Sequence, residues 1–311
     1  MPFFSIIIPL YNKENFIVKT INSALRQTFS NFEIIIINDG STDESLNRLK
    51  IFNDRRIRIF DIPNSGVSVA RNYGIKKSKS KMIALLDSDD IWEKNHLEEL
   101  YNLWLENPSC GLYCMAYAKR FNNKKKYNAK IYGLSNFSGV VNDFFGSSRI
   151  DCVAWTSAVM IPKKTIKKIG YFNQNLRSGQ DTDLWIRIAT NEKVAFSSKI
   201  TSNKIINFRE NHLSKSKYIS DRLKIFELYK LEEEKNLSLK KFLDLNRFSM
   251  AIERKEYGDF KNYFTLKKNI NKNNLNFKQK TLLNLPGFML VYMKKIQKAL
   301  LKINIYLTIY E

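Results

Sequence analysis

Ser5-Ile6-Ile7-Ile8-Pro9-Leu10-Tyr11-Asn12 is an apolar, β-branched run that ends in a proline, a tyrosine and an amide. A short continuous apolar run of this kind reads as a strand covered on both faces, the pattern of a parallel sheet. Working outward, Glu33–Asn38, Ile57–Ile62 and Met82–Leu86 repeat it. Helical periodicity separates them at Glu14–Gln27, Glu44–Phe52 and Val67–Lys77. Ser41-Thr42-Asp43-Glu44 and Asp90-Ile91-Trp92-Glu93 have capping-box spacing and predict helix starts. Strand and helix alternating over short connections predict an α/β fold, a mostly parallel sheet flanked by helices.

Further along, Lys94–Asn107 reads as a helix stopped by Pro108. Gly111–Ala118 and Val153–Ile161 read as strands, and Asp181–Thr190 as a helix. From about Leu223 the pattern turns helical and basic, so the expected division is an α/β domain over 1–215 and a basic helical extension over 216–311.

The charge balance is +22, from 52 basic and 30 acidic residues, which points to an anionic partner. Its location narrows the choice. Lys119-Arg120-Phe121-Asn122-Asn123-Lys124-Lys125-Lys126 is basic, and from Lys261 onward there are ten Lys against the single acid Glu311. These stretches lie apart from the motifs that carry chemistry, and no nucleic-acid recognition motif accompanies them, so nucleic acid is not the expected partner. Three cysteines without metal-site spacing suit a reduced, cytoplasmic protein. No secretory leader and no apolar run of about 18 residues is apparent, so no membrane crossing is expected. Nothing in the sequence sets the oligomeric state.

In open parallel sheets, ligands collect at the carboxyl ends of strands. Here those ends read Pro9-Leu10-Tyr11-Asn12, Asn38-Asp39-Gly40, Asn64-Ser65-Gly66 and Asp87-Ser88-Asp89-Asp90. Neither Gly-x-Gly-x-x-Gly after the first strand nor a Gly-Lys-Ser/Thr phosphate loop is present, which argues against a dinucleotide dehydrogenase and a P-loop NTPase. Residues 6–13, 38–43, 64–74 and 85–92, with Gly-Gln-Asp-Thr-Asp-Leu-Trp at 179–185, resemble family 2 inverting glycosyltransferases of the GT-A fold, of the bacterial surface-glycan type. The resemblance covers roughly residues 3–215.

That resemblance implies a role for each matching position. Pro9, Tyr11 and Asp39 would line a nucleoside pocket, the tyrosine stacking on a uracil and the carboxylate accepting its N3–H. Asn64 and Arg71 would help hold nucleotide or phosphate, and Glu14 occupies a ligand position that a first-turn helix acid could equally fill. Asp87 would hydrogen-bond the ribose, while Asp89, with His212 as a further ligand, would bind Mn²⁺ or Mg²⁺. A hard cation with oxygen ligands neutralises the charge that grows on a departing diphosphate. Asp90 reads as the cap of the next helix, because Glu93 completes its box. Asp181 is the candidate base for the acceptor hydroxyl, and Asp183 the better helix cap. Many relatives carry Glu where this chain has Gln180, so only a neutral contact to an acceptor hydroxyl is expected there.

The expected partners are a UDP-sugar and a glycan or lipid-linked acceptor; a catalytically silent sugar-nucleotide-binding module is the alternative. Trp155 reads either as an acceptor platform or as core, and His96 as an exposed structural residue. Leu285, Met289, Tyr292, Ile296, Ala299, Leu300 and Ile303 make an apolar helical face beside Lys294, Lys298 and Lys302. Such a helix can lie on an anionic membrane surface or pack on the domain. A peripheral position on the inner face of the cytoplasmic membrane is the expectation.

Overall fold

The structure, a computed structural model, describes residues 1–121, 125–206 and 219–302. Among them ten strands form one sheet. Its first half is parallel, in the order β3 (Ile57–Ile62), β2 (Phe32–Asp39), β1 (Phe4–Leu10), β4 (Met82–Leu85). The order continues through β9 (Val159–Pro162), β6 (Leu112–Phe121), β10 (Val194–Ile206) and β5 (Ile91–Trp92). β9 runs antiparallel to both β4 and β6, whereas β6 and β10 are parallel to each other. β7 (Lys125–Asn128) and β8 (Ser138–Val140) add to β6 and β10.

Every residue of β1 and β2 is buried, as their unbroken Ile runs require. Each such side chain contributes about 1.5–3 kcal/mol relative to exposure. Pro9 lacks an N–H, and β1 tolerates it because β4 stops pairing at Leu85, opposite Ile7. Helix α3 (Val67–Lys77) packs on β1 and β2 through Gly74, where an added Cβ would lie 2.7 Å from Ile7 Cγ2.

The remaining helices of this unit are α1 (Ile17–Leu25), α2 (Ser45–Arg48), α4 (His96–Glu106), α6 (Lys163–Ile169) and α7 (Gln180–Asn191), with the short α5 (Phe144–Ser147) at its edge. Two expected capping boxes are absent. α2 begins after Glu44 with no side-chain cap, and Asp43 instead accepts from Ser45 N at 2.9 Å and Glu14 N at 3.1 Å. After Asp90 the chain enters β5 rather than a helix, and α4 begins only at His96. The expected strand at Val153–Ile161 is shortened to β9 by a 3₁₀ turn at Thr156–Ala158.

The chain divides into two compact units. The first comprises Met1–Lys130, Leu134–Phe144 and Val153–Ile225; the second comprises Ile131–Gly133, Phe145–Cys152 and the chain from Phe226. Helix α8 (Ile219–Leu228) spans the change. The second unit holds α9 (Lys230–Lys235), α10 (Leu237–Glu256), α11 (Phe260–Lys268), α12 (Phe277–Asn284) and α13 (Gly287–Lys302). Its buried charge is internally paired: Arg247 grips Glu233 with bonds of 2.7 and 2.9 Å and Asp244 at 3.0 Å. Among the described large apolar side chains of α13, Leu290 is buried, while Phe288, Tyr292 and Ile296 stay exposed.

Candidate active site

The turn after β1 and the turn after β2 are bound to each other. Asn12, with φ +50°, donates through its backbone N–H to Ser41 Oγ at 3.1 Å and accepts from Thr42 N at 2.8 Å. Glu14 accepts from Glu44 N at 2.9 Å. Tyr11, held beside this clasp, leaves 46% of its surface open, a free ring face at a strand end. Gly40, with φ +66°, lets the chain pass so near Asn64 that an added Cβ would lie 2.7 Å from its backbone nitrogen.

Asp39 is buried, and its carboxylate accepts from Ser65 N at 2.7 Å and Gly66 N at 2.9 Å, at the entry to α3. Burial raises its pKa, and these two bonds oppose that shift. A carboxylate has about four acceptor sites, so capacity remains for one further donor. Asn64 donates to the Asp39 carbonyl at 2.9 Å and thereby fixes the same turn.

The Asp87–Asp90 turn is tied to its surroundings by two residues, Ser157 and Thr20. Asp87 N–H donates to Ser157 Oγ at 3.0 Å, and Thr20 Oγ1 donates to the carbonyls of Ser88 and Asp90 at 3.0 and 2.9 Å. The side chains of Asp87 and Asp89 remain partly open and each holds a cation: Arg71 at 2.6 Å from Asp87, Lys13 at 2.8 Å from Asp89. Arg71 is not a surface arginine. It is 4% exposed, faces the Phe172 ring at 5.1 Å, and its Nε and Nη1 have no partner among the described residues. A buried guanidinium with idle donors suits an anionic ligand beside Asp87.

Asp90 is not a helix cap. It is buried, and its carboxylate accepts from Ser157 Oγ at 2.6 Å, Trp155 Nε1 at 3.2 Å and Ile205 N at 3.0 Å. Burial, reinforced by the charges of Asp89 and Asp87, pushes its pKa up to about 8. Its role is to bind two distant segments, Trp155 with Ser157 and Ile205, around the turn, which no local spacing could reveal.

Asp181 and Gln180 open α7, whose N-cap Gly179 adopts φ +82°. Asp181 accepts from Thr182 N at 2.8 Å and is half-buried. Gln180 is buried, with Oε1 unpartnered among the described residues. Asp183 does not cap the helix: it pairs with Arg187 at 2.6 Å, which also donates to the carbonyls of Ile169, Gly170 and Tyr171. The segment before α7 is secured to α3 by reciprocal bonds between Asn72 and the Phe172 backbone, 2.8 and 3.0 Å. The helix that carries Arg71 thus anchors the approach to Asp181.

Residues 5–168 match the family model for glycosyl transferase family 2. The chain belongs to this family. An uncharacterized glycosyltransferase of Rickettsia bellii is 38% identical over 196 residues, covering 63% of this chain and 27% of that protein. The minor teichoic acid biosynthesis protein GgaA of Bacillus subtilis is 30% identical, over 56% of this chain and 43% of its own length. The chain spans 27% to 62% of the length of the first three curated relatives. The crystal structure of S. aureus TarS 1-349 in complex with UDP-GlcNAc superposes with a TM-score of 0.65 at 21% identity, over 79% of this chain and 72% of that one. The fold is the GT-A fold of family 2 glycosyltransferases.

For this family 2 chain, a divalent cation is tested against the donors present. Asp89 offers carboxylate oxygens and already draws a cation, Lys13, to 2.8 Å, so the position suits a hard ion. Among the described residues no three His, Cys, Asp or Glu side chains cluster to enclose a metal, and His212 lies outside the described residues.

Two expectations about aromatic and imidazole groups change. His96 is fully buried, stacked on Trp92 at 4.3 Å with Nδ1 2.7 Å from Thr201 Oγ1, and burial pulls its pKa down to about 3. Trp155 is half-buried, with the Lys204 ammonium 3.6 Å from its ring centroid. Sequence reading passed over Lys13, Ser157 and Lys204. The signal for Lys204 was available: a lysine set inside the strand-like run Ile200–Ile206 needs a reason to be there.

Proposed function

We propose that this chain is an inverting, metal-dependent glycosyltransferase that moves a sugar from a UDP-sugar to a hydroxyl of a glycan or lipid-linked acceptor in bacterial surface polysaccharide synthesis. One observation carries the reading: buried Arg71 on α3 holds Asp87 at 2.6 Å and faces the Phe172 ring, and the same helix holds the Phe172 backbone through Asn72, ahead of Asp181. One helix thus braces both the nucleotide-side turn and the approach to the candidate base, which supports a single site. GgaA and the UDP-GlcNAc complex of TarS support the surface-glycan and UDP-sugar parts of the proposal.

In this mechanism Tyr11 stacks on the base and Asp39 accepts its N3–H, with Pro9 and Asn64 shaping the pocket. Asp87 orients the ribose and Arg71 meets phosphate with its idle donors. Mn²⁺ or Mg²⁺ at Asp89, with His212 as a further ligand, supplies charge neutralisation on the diphosphate when bound. Asp181 takes the proton of the acceptor hydroxyl as its oxygen attacks the anomeric carbon from the face opposite the nucleotide; Gln180 orients that hydroxyl. Glu14 stabilises the clasp beneath Tyr11.

We also propose a peripheral position on the cytoplasmic membrane face, supported by exposed Phe288, Tyr292 and Ile296 on α13 beside Lys294 and Lys295. No described helix is long and apolar enough to cross a membrane.

The test is a panel of UDP-sugars with Mn²⁺, read by thermal unfolding and by UDP release. A ligand at 100 times its Kd raises stability by about 2.7 kcal/mol. At least one UDP-sugar is expected to raise Tm and to release UDP when a hydroxyl acceptor is added. If no uridine nucleotide stabilises the protein, the reading fails.

A further inference from the structure

Lys204 is the third residue from the end of β10, and its surroundings are unusual for a strand lysine. Its neighbours Asn203 and Ile205 are buried, and Ile205 N–H is held by Asp90 at 3.0 Å, which fixes the backbone from which the side chain departs. The ammonium rests on Trp155, 3.6 Å from the ring centroid, and the Trp155 Nε1 is in turn held by Asp90 at 3.2 Å. Asp90 therefore positions both the lysine's strand and its aromatic seat. Burial and the charge of Lys119 lower the Lys204 pKa, while Asp90, Asp181 and Asp87 favour its charged form.

The hydrogen-bonding capacity of this ammonium is unused. A lysine has three N–H donors and no acceptor. None of the three meets a hydrogen-bond acceptor among the described residues; the ammonium rests on the π-face of Trp155. Arg71 and Lys13 each pair with a carboxylate of the same turn, Asp87 and Asp89, whereas Lys204 makes no such short pair. A half-buried cation with idle donors, seated on Trp155 beside the Asp90 and Ser157 pair that fixes the backbone of Asp87, suits a ligand that carries anionic oxygen. In the proposed reaction that oxygen belongs to the bond that breaks.

We infer that Lys204, seated on Trp155, donates a hydrogen bond to the β-phosphate oxygen of the departing nucleoside diphosphate. This inference rests on the transferase reading above. In the transfer step the acceptor oxygen forms its bond to the anomeric carbon and its proton passes to the Asp181 carboxylate. The bond from the anomeric carbon to the β-phosphate oxygen breaks, and its electron pair stays on that oxygen. Lys204 keeps its proton throughout and donates to the new charge, which is larger in the transition state than in the bound donor. Such an interaction favours turnover over ground-state binding.

The experiment compares wild type with Lys204→Met and Lys204→Arg, measuring binding of UDP, UMP and uridine by calorimetry without added metal, and kcat and KM for UDP-sugar with Mn²⁺. Loss of one charge-assisted bond corresponds to about a 10- to 100-fold effect. Lys204→Met is expected to weaken UDP by that factor, leave UMP and uridine within about twofold, and lower kcat nearly as much as kcat/KM, with only a small rise in KM. Lys204→Arg is expected to restore most of the UDP affinity. Equal weakening of all three ligands, or UDP affinity unchanged while only the acceptor KM rises, overturns the inference. If Lys204→Met does not fold, Lys204→Gln is read in the same way. Wild type failing to bind UDP would instead contradict the transferase reading, so the two failures are distinguishable.

Discussion

The two halves of the sheet build their share of the site in different ways. In the parallel half, β3-β2-β1-β4, each site residue follows the end of its own strand, and neighbouring turns secure one another: Asn12 with Thr42, Asp39 with Ser65 and Gly66. In the half that begins at β9, the parts come from remote stretches. Ser157 bonds Asp87 and Asp90, Ile205 is held by Asp90, and Asp181 stands at the head of α7. The first half reads as a nucleotide cradle that could be recognised strand by strand. The second is assembled only in three dimensions, and the proposed transfer chemistry draws on it.

That contrast can be broken most sharply at the junction of the two halves. Asp89→Ala removes the carboxylate proposed for the divalent ion and leaves Lys13 without its 2.8 Å partner. Turnover of UDP-sugar is expected to fall about 10³-fold or more, as charge stabilisation on a leaving group is worth several kcal/mol. Initial rates across a Mn²⁺ titration check this, and a variant that regains full rate at high Mn²⁺ would shift the metal role elsewhere.

A smaller effect is expected within the cradle. Asp39→Asn can satisfy only one of the two amides of Ser65 and Gly66, leaving its own NH₂ against the other. UDP affinity should drop by about 10-fold, with a stability loss of about 1–3 kcal/mol, from an unmet donor in a buried turn. Calorimetry and urea unfolding measure the two effects separately. Uridine should be weakened as much as UDP, because the contact is to the base.

The smallest effect lies behind β5, in His96. Its pKa of about 3 in the folded chain lies below the ordinary 6.5. Unfolding therefore takes up a proton between those values, so stability is lost as pH falls from about 6.5 toward 3. Between pH 6.5 and 5 this amounts to about 2 kcal/mol. His96→Gln, which keeps a partner for Thr201 but does not titrate, should flatten the pH dependence of urea unfolding over that interval.

The same contrast explains what the sequence disclosed. The Ile runs of β1 and β2 and the acids and amides that follow them are local patterns, and they disclosed the parallel half of the sheet directly. Asp90 misled because Glu93 completes a capping spacing, while its true partners, Ser157 and Ile205, are separated from it by 67 and 115 positions. His96 was taken for a surface residue because a helix of mixed composition does not disclose which face meets β10 and its Thr201. β10 itself went unread: Lys199 and Lys204 interrupt its apolar pattern, one pairing with Glu99 at the surface and the other turned onto Trp155.

The central claim, that the nucleotide cradle and Asp181 form a single transferase, is tested most directly by Asp181→Asn assayed for UDP binding and for transfer from the stabilising UDP-sugar. UDP affinity within about twofold of wild type, with transfer reduced by about 10²–10⁴-fold, is the predicted result. Transfer at the wild-type rate would contradict it.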